Sequence, residues 1–380
     1  MKTESVLLAV TKSERSFIFT SLAIASPYFL ASFHISVVLI SAFVLGSLAI
    51  STAYLYLFIQ LPLKTKDKLV LLALLLFVSM LVLFLFETPI ALLAAVIIGA
   101  VSLGGRDLTA NQSLEQYTLS VAEEEQRRKN LAFGVYNFGL YAGGAAASAV
   151  LIKIGGSHYP FLFLLLTVLS SLQLLTYLLL PFPSATLPPK KSMPSSEIGK
   201  VARLSALFAL DALGGGLVNT SMITLWFKVV YNIPLSSAGL IFVIVNVITA
   251  ISVIASGYIS GGFGLVRTMV YTHLISNALL FLIPVIHSLF ISELFLYLRQ
   301  STSQMDVPAR DSFVNTYIPK EARVSANSTF AAVRNGCQIP GPGIAGLLLE
   351  TFPSALFFGA SLMKVAYDIL FFANYRGTGL

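Results

Sequence analysis

Apolar runs close to a membrane's thickness recur almost from end to end of this chain, and the segments that interrupt them are short and polar. A helix needs roughly 20 apolar residues to cross a hydrocarbon core about 30 Å thick. The pattern therefore predicts twelve spans, beginning near Phe17, Val37, Leu69, Pro89, Leu131, Pro160, Val201, Pro234, Thr268, Leu289, Ser325 and Phe352. One stretch departs from plain hydropathy. Leu265 to Arg299 is mostly apolar and about 35 residues long, roughly 52 Å as helix, too long for one crossing and too short for two. Two crossings require the tenth helix to continue past Arg299 through Gln304, Asp306 and Arg310 toward Tyr317.

An internal repeat extends that argument. At an offset of about 195 residues Arg106 matches Arg299, Asn137 matches Asn335 and Gly143 matches Gly341. The fourth helix should accordingly run from Pro89 past Arg106 and Asp107 to Thr118. Pro181 to Lys200, rich in Pro, Ser and Lys, reads as a linker. The expected organisation is an N-terminal six-helix half over residues 1–182, a cytoplasmic linker over 183–200 and a C-terminal six-helix half over 201–380. The fold class is an all-α membrane protein with twelve transmembrane helices in two pseudo-symmetric halves. Parallel repeats of this kind are a transporter design, with the site near the midplane.

Composition agrees. With 56% hydrophobic and 11% charged residues the chain has too little polar surface to coat a soluble globule of 380 residues. The net charge of +7 would suggest nucleic acid in a soluble protein, but the basic residues collect in alternate loops. Lys2, Lys12 and Arg15 precede the first span. Lys64, Lys66 and Lys68, then Arg127, Arg128 and Lys129, then Lys190, Lys191, Lys200 and Arg203 follow, with Arg267, Lys320, Arg323 and Arg376 after them. The intervening loops hold only Lys153 and Lys228, so both termini are expected on the cytoplasmic side of the cell membrane. The charge reports topology, and no nucleic-acid partner is expected. Cys337 is the single cysteine, which excludes an internal disulfide and a cysteine-ligated metal cluster.

Ionisable groups within the spans are the candidate chemistry, because each costs about 3 kcal/mol on insertion scales and normally pairs or lines a cavity. Arg299, Ser303, Asp306 and Arg310 share one face of the expected tenth helix. Asp107, Asn111 and Glu115 recur every fourth residue on the fourth, and Asp211, Gly215 and Asn219 on the seventh. His273, Ser276 and Asn277 form a patch on the ninth. Local pairing accounts for Arg310 with Asp306 and for Lys364 with Asp368. Arg106 and Arg299 would present planar donor forks to a carboxylate or phosphate. Substrate binding is thus assigned to Arg106, Arg299, Asp107, Gln304 and Asp306, and proton coupling to Asp211 and His273. The Pro340 to Gly346 run reads as a hinge or a close-packing point, and Trp226 as a residue of the membrane interface.

With these residues in hand, the whole chain resembles the major facilitator superfamily of secondary transporters. The likeness rests on the twelve-span layout, the central linker and the stretch Gly257 to Arg267, which is similar to that family's glycine-rich cytoplasmic loop. The first-half counterpart, Leu61 to Lys68, keeps only the charges. The resemblance implies a secondary transporter embedded in membrane lipid and supplies no substrate. The two arginines favour an anionic or zwitterionic small solute, Asp211 and His273 favour a proton as the coupling ion, and a chain holding both halves is expected to act as a monomer. No cofactor, metal or catalytic motif is expected, and no nucleotide site for an ATP-driven pump. Two other readings stand beside it: a transport-like sensor or scaffold, and a membrane enzyme acting on lipid head groups.

Overall fold

The computed structural model describes residues 2–105, 107, 109–123, 125–156, 158–180 and 194–378, with the side chains of 126–127, 130, 256–263 and 324 outside the description. Among the described residues all regular structure is helical. In chain order the helices are α1 (Thr3–Ser32), α2 (Val37–Gln60), α3 (Thr65–Phe86), α4 (Pro89–Gly99), α5 (Ala110–Ala122), α6 (Gln126–Ile154), α7 (Tyr159–Leu179) and α8 (Ser195–Leu217). They continue with α9 (Thr220–Tyr231), α10 (Leu235–Phe263), α11 (Leu265–Leu282), α12 (Leu289–Gln300), α13 (Asp306–Tyr317), α14 (Arg323–Gln338), α15 (Pro340–Thr351) and α16 (Ala355–Tyr375).

Local chemistry sets several boundaries. Ser36 and Thr88 cap α2 and α4 by accepting from the backbone N–H groups of Leu39 and Ala91. Pro89 opens α4, where its missing N–H costs nothing. Glu87 and Ala100 end α3 and α4 in the left-handed region, at φ 47° and 51°. Among the described residues eight helical stretches are long and apolar enough to cross a membrane: α2, α3, Leu131–Ile154 of α6, α7, the α8–α9 stretch Ser195–Tyr231, Leu235–Ala255 of α10, α11 and Ala355–Thr378. On α7 the exposed residues Leu164, Val168, Leu172, Leu175 and Leu179 form an apolar stripe at helical spacing. The opposite face buries Ser170, Gln173 and Tyr177. A soluble helix has the reverse pattern, and lipid is the solvent this one suits.

Four expected helices are interrupted, the seventh only briefly, between Leu217 and Thr220. The fourth stops at Gly99, and irregular backbone runs to Thr109 before α5 begins. Side chains satisfy that backbone: Ser47 accepts from the Leu103 N–H, and Asp107 accepts from both the N–H and the hydroxyl of Thr109. The tenth breaks between Gln300 and Asp306 in a tight turn, with Thr302 N–H bonded to Arg299 O and Met305 N–H to Thr302 O. The eleventh divides at Ile339, ahead of Pro340, which supplies no N–H to continue α14. Conversely, the glycine-rich stretch expected as a loop is helical up to Phe263, and Gly264, at φ 81°, makes the turn.

The chain forms two compact units. Residues 1–188 with 220–246 make one, and 189–219 with 247–380 the other. In the first, α1 lies so close to α6 that a Cβ on Gly139 would stand 2.6 Å from the Ala9 carbonyl, and one on Gly143 would strike Ser13. Trp226 is buried there against Phe227 and Tyr231 rather than exposed at an interface. In the second unit Phe313, Phe371 and Tyr375 pack edge to face among Phe208, Phe330 and Tyr367. Gly341 of α15 meets the backbone of Gly216 on α8 directly, so the proline-glycine run is a close-packing point.

Candidate functional site

Each unit buries one network of charged side chains. In the first, α1 supplies Lys12 and Arg15, the α4–α5 connection supplies Asp107, α5 supplies Glu115, and α6 and α7 supply Tyr136 and Tyr177. Arg15 is wholly buried. Its guanidinium forks onto Glu115, to Oε1 at 3.1 Å and also to Oε2, while its Nε donates to Asp107 Oδ2 at 2.6 Å. Glu115 accepts further from Thr11, Tyr136 and Tyr177, at 2.8, 2.6 and 2.5 Å. Lys12 lies 3.7 Å from Asp107 and 5.4 Å from the centre of the Tyr136 ring. Two charges of each sign face one another. A bidentate pair with three hydroxyl donors is among the better geometries for an ion pair out of water.

Sequence reasoning placed Lys12 and Arg15 in a solvated flank before a first span starting near Phe17. The structure corrects this: α1 begins at Thr3 and carries both inside. Their spacing to Phe17 suggested a flank only because hydropathy cannot see a buried partner. The i, i+3 placement of Lys12 and Arg15 on one helical face was the available signal.

In the second unit α8 supplies Asp211, α11 His273 and Asn277, α13 Asp306 and Arg310, and α16 Lys364, Tyr367 and Asp368. Lys364 Nζ donates to Asp211 Oδ1 at 2.6 Å. His273 lies between two carboxylates, with Nδ1 2.7 Å from Asp368 Oδ1 and Nε2 3.5 Å from Asp211 Oδ1. Asn277 donates to Asp368 Oδ2 at 2.9 Å, and the Tyr367 ring stands edge-on to the imidazole at 5.7 Å. Arg310 pairs with Asp306 at 2.8 Å. Asp211 and His273, singled out from the sequence, are thus brought together. The local pairing expected for Arg310 with Asp306 is present, and that expected for Lys364 with Asp368 is not. Both of the latter bond across helices, to Asp211 and His273, because α16 packs against both α8 and α11.

No protein-family model matches the chain. An uncharacterized membrane protein of Saccharomyces cerevisiae is 26% identical over 167 residues, which are 43% of this chain and 37% of that protein, so the match spans little more than a third of the relative's length. Solved structures match over nearly the whole chain. A point mutant of the nucleoside transporter NupG superposes with a TM-score of 0.78 at 14% identity, covering 98% of this chain and 99% of its own. A POT family transporter gives 0.76 at 13% identity, covering 98% and 96%. The human organic anion transporter MFSD10 gives 0.67 at 15% identity, covering 98% and 100%.

The chain has the fold of these solved transporters. Within this fold the remaining sequence-selected residues are placed as follows. Arg299 is half-buried at the C-terminal end of α12 and donates to Gln300 Oε1 at 3.2 Å. Gln304 lies in the turn between α12 and α13. Asp107 belongs to the Arg15 network and Asp306 to the Arg310 pair. Arg106 lies outside the described residues, as does most of the linker.

Proposed function

We propose that this chain is a secondary transporter of a small solute, coupled to protons and working by alternating access between two six-helix bundles joined by the linker 183–200. The observation that carries the reading is the His273 imidazole held between the Asp211 and Asp368 carboxylates. His273 and Lys364 lie close to the midpoints of α11 and α16, two helices fit to cross a membrane. Ionisable groups at such depth are retained where a pathway or a coupling step uses them. Imidazole is the side chain whose charge changes near neutral pH, and Asp211 with His273 is the coupling pair.

Twelve crossings follow from adding α1 and the broken pairs α4–α5, α12–α13 and α14–α15 to the eight apolar stretches. Each of these four misses a hydropathy criterion because it carries buried charge or an interruption, the signature of discontinuous helices around transporter sites. With Lys12 and Arg15 set aside as buried, the alternation of basic loops still favours cytoplasmic termini in the cell membrane. Arg106 and Arg299 bind the substrate together with Gln304. Asp107 and Asp306, each paired with an arginine, are further residues proposed for the substrate. Neighbours described as transporters of nucleosides and organic anions make these solute classes the first to try.

The test is accumulation of labelled nucleosides, short peptides and organic anions in proteoliposomes under an imposed pH gradient. The reading predicts gradient-dependent uptake of one class, with Arg299→Ala raising the half-saturation concentration about ten-fold or more, as expected for loss of a charge-assisted hydrogen bond. Uptake that ignores the gradient contradicts proton coupling. A solute that binds but never crosses makes the protein a sensor.

A further inference from the structure

We infer that Lys364 is an oxyanion-binding group gated by a proton: ionised Asp211 occupies it, and a proton delivered through His273 to Asp211 frees the ammonium for a carboxylate-like group of the solute. The inference rests on the transporter reading and adds the chemistry of the solute and the route of the proton.

Its basis is the linear order Lys364, Asp211, His273, Asp368, Asn277, built by three helices of one unit. Lys364 and Asp211 share a 2.6 Å bond through Oδ1, the same oxygen that faces His273 Nε2 at 3.5 Å. At the far side of the ring a 2.7 Å separation between Nδ1 and Asp368 Oδ1 is a hydrogen bond, and one proton must lie in it. When Asp368 holds that proton and Nε2 carries the ring hydrogen, two transfers move a charge across the imidazole. The Asp368 O–H bond breaks as Nδ1–H forms, and Nε2–H breaks as an O–H bond forms on Asp211. Asp368 ends ionised, the ring ends neutral and Asp211 ends neutral, so Lys364 loses its counterion. At 3.5 Å the second contact is longer than a good hydrogen bond, which fits a resting state in which Asp211 stays with Lys364.

The helices α12, α13 and α14 around the relay carry the other charged groups of its surroundings. Arg310 of α13 is already engaged by Asp306, Asp311 beside it is largely exposed, and Arg334 of α14 acts electrostatically on Asp211. α12 carries Glu293, which accepts from Tyr297, and Arg299, which donates to Gln300. Two buried polar atoms at the relay also wait for a donor or acceptor: Asn277 Oδ1 and Ser276 Oγ have no hydrogen-bond partner among the described residues, although both side chains are almost fully buried. Such atoms are costly unless something arrives to satisfy them. The first unit is unlike this. Glu115 there is held by a bidentate arginine and three hydroxyls, with no imidazole to deliver a proton.

The probe is methanesulfonate, a small oxyanion that stays ionised in mild acid, with thermal stabilisation of the purified full-length protein giving an apparent Kd across a pH series. One linked proton predicts that affinity rises as pH falls, by up to about ten-fold per pH unit. Asp211→Asn should bind tightly with no pH dependence. Lys364→Gln should abolish binding at every pH, and Asp368→Asn should remove the acid-side gain. Because either single change at the ion pair leaves a buried charge, the neutral double variant Asp211→Asn with Lys364→Gln is the folded control, and it should show no stabilisation. Methanesulfonate affinity independent of pH in the unaltered protein, or retained in the double variant, overturns the inference. Proton-driven flux without the linkage leaves the transporter reading intact and defeats this one. The linkage without flux does the reverse.

Discussion

At the residue scale the strongest commitments are the buried charges. Removing one partner of a buried ion pair costs about 3–5 kcal/mol because the other is left uncompensated. Lys12 and Arg15 share Asp107 and Glu115 as carboxylate partners, so Glu115→Gln leaves two buried cations with one carboxylate and should lower stability by about that amount. The double change Arg15→Met with Glu115→Leu should cost much less, since it removes both charges. Thermal unfolding of the detergent-solubilised variants checks this, and an equal loss in single and double variants would refute it. Glu123, between α5 and α6, accepts from the Lys2 backbone N–H at 2.7 Å and from Ser5 at 2.8 Å. Those bonds hold its carboxyl below the usual range. A depressed folded-state pKa adds stability above the unfolded value, and that contribution is lost as pH falls through the folded value. Glu123→Gln should therefore flatten the acid-side loss of stability, measured as melting temperature against pH. None of these partners was legible from residue type alone. Asp211 and His273 were found because intramembrane charge is rare, whereas Arg15 was hidden by its position beside the first apolar run.

Elements were legible where a helix is continuous and apolar. α2, α3, α7, α11 and α16 start within a few residues of the expected places, because length and hydropathy decide them. The breaks were not. A run such as Pro89 to Gly99 reads as the start of a longer helix until Ser47 and Asp107 are seen accepting from the irregular backbone that follows it. Close approach of α1 and α6 was likewise visible only as glycine at positions 139 and 143. Gly143→Val should separate those helices and lower the yield of folded protein severely. Gly134→Ala on the same helix has nothing within 4 Å of the added carbon and should be neutral or slightly stabilising. Fluorescence-detected size-exclusion profiles distinguish the two, and similar profiles would contradict the packing account.

In the whole molecule the two compact units bury charged networks of different make-up. The first is charge-balanced and richly bonded, suited to holding α1, α5, α6 and α7 together. The second contains the imidazole and a lysine with one carboxylate partner, suited to change with protonation. The resemblance read from the sequence and the structural likeness at 13–15% identity agree on the fold. They leave the solute to chemistry. Asp211 is proposed to couple solute movement to protons, and this is tested by comparing two modes of transport in proteoliposomes for the unaltered protein and Asp211→Asn. The account predicts that Asp211→Asn keeps solute exchange down equal concentrations and loses accumulation driven by a pH gradient. Gradient-driven accumulation that survives Asp211→Asn in a folded protein would contradict it.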